Sequence, residues 1–257
     1  VVRYNVEQVF IAVPSAPYKN LQKIVEVCEQ SNVKYQSLPG FSKLITGKTF
    51  VSQMRDVDPD ELLGRPAVTF ENERTVLQKE IINKSILITG AGGSIGSELC
   101  RQIASLRPKN LILYERSENN LFYIDLEIRR KFPDINIVSI IGDILNKDKF
   151  NNTLVTYNPS IVYHAAAYKH VTLMEKDPTE ALRNNFLGTK IISEICANNN
   201  IEKFVFISTD KAVNPSSIMG TTKRMTEKIL QSYNSKPTKF VSVRFGNVIG
   251  SSGSVIP

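Results

Sequence analysis

The sequence predicts an α/β chain: a doubly wound parallel sheet preceded by a smaller, partial α/β domain. Three observations carry this. From Ile81 onward, short apolar runs of strand character alternate with amphipathic helical stretches. The loop after the first of those strands reads Gly90-x-x-Gly93-x-x-Gly96. Ahead of this region stands only one strand–helix–strand unit, too small to complete a domain by itself.

Each element has its own signal. "VEQVFIAVPSA" is rich in β-formers, and in "YKNLQKIVEVCEQSN" Leu21, Ile24, Val25 and Cys28 recur at helical spacing. "VKYQSLP" returns to strand. The following stretch to Val68 has scattered Gly and Pro with no sustained period, which reads as a linker. This places a partial N-terminal domain with its linker at 1–72 and the main domain at 73–257. There "KSILITG", "NLILYE", "INIVSIIGD", "PSIVYHAAA", "KFVFIST" and "KFVSVRFGNV" read as strands. Between them lie helices in "SIGSELCRQIASLR", "NNLFYIDLEIRRKF", "KDKFNNTLVTY" and "PTEALRNNFLGTKIISEICANNN", and one from about Thr221 to Ser232.

Composition narrows the function classes. Hydrophobic residues at 42% and charged residues at 22% suit a soluble globular chain, with no apolar stretch long enough to span a bilayer. The net charge of +7 is spread along the chain rather than gathered with aromatics, which argues against nucleic acid and leaves an anionic small ligand. Three separated cysteines give neither a disulfide framework nor metal-ligand spacing and point to a reducing cytoplasm; two histidines build no metal site. A start at Val1 and an end at "GSVIP" read as a piece of a longer protein.

The glycine loop has a strand before it and a helix after it. Gly90 allows the tight turn, Gly93 a close approach of backbone to a pyrophosphate, and Gly96 close packing of helix on sheet. Ser94, Ile95 and Gly96 then open a helix whose N-terminus faces the phosphates. About 20 residues on, Glu115 ends a strand, where its carboxylate suits a ribose 2′-OH and favours NAD; the adjacent Arg116 leaves NADP as the lesser alternative. Asp143 and Ile144 follow the next strand, on the adenine side, and Ala165, Ala166 and Ala167 let backbone pass close to the cofactor.

With the glycine loop, "GDI", "HAAAYKHV", "STDKA" and "RFGNVIGSSGSVIP" in this order, residues 84–257 resemble the extended short-chain dehydrogenases/reductases. More narrowly they resemble the nucleotide-sugar 4,6-dehydratases of bacterial polysaccharide and glycan biosynthesis. The resemblance implies a Rossmann-type fold, tightly held NAD and UDP-N-acetylglucosamine as substrate. It assigns Asp210 as the acid and Lys211 as the base, and puts Lys223 on the nicotinamide ribose. Met219 stands where short members carry a catalytic tyrosine. This matches the long, membrane-anchored type and implies retention at C5. Thr209 is placed to relay the C4 hydroxyl proton. Lys169, His170 and Glu175 are expected to shape the sugar pocket, and Arg244, Asn247 and Ser254 to meet the nucleotide diphosphate.

A thioether is no base, so another group or a water must take the C4 proton. Asp210 as acid needs a raised pKa and Lys211 as base a lowered one. The implied setting is a cytoplasmic domain of a protein anchored in the inner membrane through segments outside this chain, with homo-oligomers expected. The alternatives are an inverting dehydratase, a 4-epimerase, or a cofactor-binding module without turnover.

Overall fold

Strands buried on both faces need unbroken apolar runs. β3 (Ser85–Thr89) and β4 (Asn110–Glu115) supply them: Ile86, Leu87, Ile88, Leu111, Ile112 and Leu113 expose no surface. The computed structural model describes residues 73–233, 237–246 and 248, together with 6, 8–11, 13, 18–31 and 33–37. The chain divides into two compact units, Val1–Thr69 and Phe70–Pro257. In the first, β1 (Gln8–Ile11), α1 (Tyr18–Gln30) and β2 (Lys34–Ser37) form one parallel βαβ unit with Gln8 opposite Lys34. The expected linker lies outside the described residues.

In the second unit six parallel strands run in the order β5-β4-β3-β6-β7-β8. The remaining strands are β5 (Asn136–Ile141), β6 (Ile161–His164), β7 (Lys203–Thr209) and β8 (Lys239–Phe245). This is the doubly wound order, and the reversal between β3 and β6 opens a crevice at the strands' C-terminal ends. Alternate residues of each strand serve opposite faces. Ile86, Ile88, Leu111 and Leu113 pack on Cys100 and Ile103 of α3 (Ser94–Ser105) and on Leu121, Ile124 and Ile128 of α4 (Glu118–Lys131). Leu87 and Ile112 join Phe150 and Leu154 of α5 (Lys147–Tyr157) on the other face. No helix among the described residues is long and apolar enough to cross a membrane.

The structure adds what periodicity does not reveal. α2 (Arg74–Ile81) precedes the sheet and α6 (Val171–Lys176) follows β6. The helix expected over residues 178–200 is broken into α7 (Pro178–Ala181), a π-helical turn (Leu182–Gly188) and α8 (Thr189–Asn198). At the turn, Asn185 brackets the main chain of Tyr168: its Oδ1 accepts from the Tyr168 N–H at 2.8 Å and its Nδ2 donates to the carbonyl at 3.0 Å. α9 begins at Ile218, three residues ahead of expectation, with Ser217 accepting from the Gly220 N–H as its cap.

Two buried polar assemblies tie this frame together. His164 exposes no surface and sits between Thr89 and Thr189, its Nδ1 2.6 Å from Thr89 Oγ1 and its Nε2 2.8 Å from Thr189 Oγ1. Thr189 donates its own proton to the Asn185 carbonyl at 2.7 Å, so it accepts from His164 Nε2–H, and the ring is the neutral Nε2 tautomer. Burial, then the nearby Lys223, hold its pKa well below the usual histidine value. Glu227 of α9 (Ile218–Ser232) is the second centre. Its carboxylate accepts from Ser208 at 2.7 Å, from Nε and Nη2 of Arg244 at 2.8 and 2.7 Å, and from Arg224 at 3.3 Å.

Glu227→Gln is expected to cost about 2–3 kcal/mol, less than a fully buried pair, because both arginines stay partly in water; the urea midpoint at unchanged m reads it. pH dependence follows from His164 and Lys223. Below about pH 6.5 the unfolded chain protonates His164 and the folded chain does not, so stability falls as pH drops. Lys223 is lowered to about 7 by burial, so the unfolded state binds the extra proton above that pH and stability rises from pH 7. That rise reaches up to about 1.4 kcal/mol per pH unit. It fades as buried Cys100 and Cys196, whose thiols burial pushes up, begin to oppose it. Lys223→Met should abolish the rise while keeping the acid-side fall, as measured by denaturation from pH 5 to 8.5.

Candidate functional site

Gly90 leaves β3 with φ +67°, in the left-handed region, and a Cβ there would come within 2.6 Å of the Ala166 nitrogen. Across α3, a Cβ on Gly96 would overlap the Gly90 carbonyl oxygen. Gly93 caps α3 in extended backbone and its N–H reaches the Gly90 carbonyl at 3.0 Å. No other residue fits at Gly90 or Gly96. The loop therefore passes flat under open space, with the first turn of α3 (Ser94, Ile95, Gly96) at its far side. A cleft of about 170 Å³ lies above it.

The cleft brings together Gly90, Gly93, Glu115, Arg116, Asp143, Ile144 and Ala165 to Ala167, all drawn from strand ends on either side of the sheet reversal. Glu115 is fixed by main chain: Oε2 accepts from the Gly92 N–H at 3.1 Å and Oε1 from the Ser117 N–H at 2.9 Å. One carboxylate thus holds both the glycine loop and the turn into α4. Asp143 accepts from the Leu145 N–H at 2.9 Å through Oδ1. Arg116 donates to the Tyr168 hydroxyl at 2.8 Å and lies 3.7 Å from Asp143 Oδ2. A bare-backbone floor, a helix N-terminus and a carboxylate at the end of β4 are what a dinucleotide's pyrophosphate and ribose require.

Further wall residues come from signals that sequence reading missed. Tyr114 lies so close under Gly142 that a Cβ there would enter its ring, and its hydroxyl donates to the Asp143 carbonyl at 3.0 Å. Asn184, 5% exposed, lines the cleft from the π-helical turn and donates to Asn185 Oδ1 at 3.0 Å. The doubled asparagine inside a helical stretch was the available clue, since asparagine competes with helix geometry for backbone partners.

One strand further, β7 ends in Thr209 and passes into a 3₁₀ turn, Asp210–Ala212. Thr209 donates its hydroxyl proton to Asp210 Oδ1 at 3.0 Å and accepts from the Lys211 N–H at 3.3 Å. Lys211 Nζ reaches the same Asp210 oxygen at 3.3 Å. α9 presses on this turn, because a Cβ on Gly220 would come within 2.5 Å of the Lys211 carbonyl. The three expected proton-handling residues thus share one exposed turn.

Several expectations need correction. The Thr209 hydroxyl and then Lys211 hold the Asp210 carboxyl below its usual range, opposite to what an acid needs. Arg244 spends its guanidinium on Glu227, so it anchors β8 to α9 and offers no fork to a diphosphate. Glu175 accepts from the Ile218 N–H at 2.6 Å, capping α9 from α6. Lys223 donates to the Ile207 carbonyl at 2.8 Å with its ammonium over the Phe206 ring, pointing into the sheet rather than to a ribose. Met219 is buried against Met174 and Ala181. Lys169 and His170 are exposed on the loop before α6, and Asn247 and Ser254 lie outside the described residues. Among the described residues no three His, Cys, Asp or Glu side chains gather to hold a metal.

Residues 86–257 match the family described as polysaccharide biosynthesis protein. Over its whole length the chain is 43% identical to the capsular polysaccharide biosynthesis protein CapD of Staphylococcus aureus, of which it spans 43%. It is 35% identical to the UDP-N-acetylglucosamine 4,6-dehydratase (inverting) of Campylobacter jejuni over 68% of this chain and 52% of that one. The crystal structure of Pen from Bacillus thuringiensis is similar at 36% identity and a TM-score of 0.61, covering 67% of this chain and 53% of that one. The chain spans about half the length, or less, of these relatives. The family match begins in the glycine-loop strand and runs through the cleft and the Thr209 turn, and the chain belongs to the polysaccharide biosynthesis protein family.

Proposed function

We propose that this chain carries the cofactor-binding and proton-handling part of an NAD-dependent UDP-N-acetylglucosamine 4,6-dehydratase that retains configuration at C5. The observation that carries the reading is the Thr209–Asp210–Lys211 turn, which sets a hydroxyl, a carboxylate and an ammonium side by side one strand from the glycine-loop cleft. NAD, when bound, supplies reversible hydride chemistry at the sugar. Glu115 would hold the adenosine ribose, and Gly90, Gly93 and the first turn of α3 the pyrophosphate.

The chain's own residues then have to move protons. Thr209 accepts the C4 hydroxyl's proton as it passes its own to Asp210, an exchange its 3.0 Å bond already aligns. Lys211 removes the C5 proton, and Asp210 protonates the C6 hydroxyl so that it leaves as water. The acid role needs a higher pKa than the exposed carboxyl has. A sugar enclosing the turn removes the surrounding water, and desolvation drives a carboxyl upward and an ammonium downward, as both roles require. Retention at C5 is what the resemblance to the long, methionine-bearing type implies; Met219 itself, packed with Met174 and Ala181, offers no proton acceptor.

Incubating the full-length protein with UDP-N-acetylglucosamine and NAD in D₂O, followed by NMR and mass spectrometry, tests the reading. Expected is loss of one water with one deuterium at C5 in the original configuration. An inverted C5 would assign the inverting reaction, inversion at C4 with no water lost and no deuterium gained an epimerase, and an untouched sugar with NAD bound would sink the enzymatic reading. Asp210→Asn and Lys211→Ala should each lower turnover by about 10²–10⁴-fold with NAD affinity preserved, as read by single-turnover kinetics beside a binding titration.

A further inference from the structure

We propose that Tyr168 and Asp143 set the preference for NAD over NADP by keeping the Arg116 guanidinium occupied. The inference rests on the dinucleotide reading of the cleft and deepens it. A 2′-phosphate at the end of β4 needs a cation to receive it, and an arginine beside the ribose-binding acid is the usual provider. Arg116 is the one cation among the described residues lining the cleft. It faces two carboxylates there, Glu115 and Asp143, which repel a phosphate as they attract the guanidinium.

Arg116 is also held. One arm donates to the Tyr168 hydroxyl at 2.8 Å, the guanidinium lies 5.2 Å from the centre of the same ring, and the other arm stands 3.7 Å from Asp143. Neither holder is free to follow the arginine toward a new anion. Asn185 pins the Tyr168 main chain from both sides. Asp143 is fixed by the Leu145 N–H at its side chain and by the Tyr114 hydroxyl at its carbonyl. A 2′-phosphate would have to compete with these partners for Arg116, whereas a 2′-hydroxyl asks nothing of it and would bond to Glu115.

Tyr168→Phe removes only the hydroxyl and leaves the ring, the loop and the Asn185 bracket. NAD and NADP are titrated by calorimetry into the full-length protein, into Tyr168→Phe, and into the double variant Tyr168→Phe with Arg116→Ala. The wild type should prefer NAD. Tyr168→Phe should improve NADP relative to NAD by roughly three- to tenfold, the scale of one modest hydrogen bond, and the double variant should lose that gain. A wild type that prefers NADP, an unchanged ratio in Tyr168→Phe, or a gain that survives loss of Arg116 overturns the proposal while leaving the dinucleotide-binding reading of the cleft intact. Failure of the wild type to bind either dinucleotide would bring down both.

Discussion

The Gly90 carbonyl lies so close to α3 that one methyl on Gly96 would overlap it, and Gly90 itself faces the main chain of Ala166. These two approaches join three elements, β3, α3 and the loop after β6, with no side chain between them. The positive φ of Gly90 turns the chain away from the sheet, and the cap at Gly93 starts the helix in the space this opens. Glu115 then fastens the loop from the neighbouring strand through the Gly92 N–H. The cleft exists because backbone was allowed to meet backbone, and any bulk at those positions would lift the helix off the sheet.

The opposite side of the sheet is organised by polar contacts in place of close approach. Glu227, buried on α9, gathers Ser208 of β7 and Arg244 of β8, residues already opposite one another in register. Ser208 immediately precedes Thr209, so the carboxylate fixes the strand end from which the Asp210 turn departs. Taking the Glu227 carboxylate out of water offsets much of what its partners return, so the cluster fixes geometry more than it adds stability. His164 does the same for the centre, linking β3, β6 and α8 through one neutral ring and two threonines.

Much of this was legible in the sequence, because the strands are continuous apolar runs and the glycine loop has a fixed spacing. Glu115, Asp143 and the three alanines could be placed in one cleft from strand ends alone, since a parallel sheet puts all C-terminal ends on one edge. What stayed illegible depends on contacts between distant residues. Nothing near Arg244 in the sequence announces that its guanidinium meets Glu227, 17 residues earlier. Glu175 looks like a pocket residue until the start of α9 lies against it, and the helix across 178–200 looks unbroken until Tyr168 claims Asn185. Helical periodicity cannot register a π-helical turn, because the insertion leaves the apolar stripe on either side intact.

Met219 and Asp210 together bear on where protons move in the proposed reaction. Met219 packs with Met174 and Ala181, beside Tyr168, Val171 and Ile218, in an apolar cluster where an unpartnered hydroxyl would be costly. In that reaction proton exchange would be kept off Met219 and fall to the Thr209–Lys211 turn. On that turn the Asp210 side chain is 55% exposed and its carboxyl is held low by the Thr209 hydroxyl and Lys211. An open turn therefore keeps Asp210 ionised and unable to act as an acid. Covering it reverses the balance, because desolvation penalises the charged forms: a proton that Thr209 passes on from the C4 hydroxyl then stays on Asp210, and Lys211 gives up its own. The same enclosure that positions a sugar would switch on the acid and the base, so chemistry would begin only once water has been excluded.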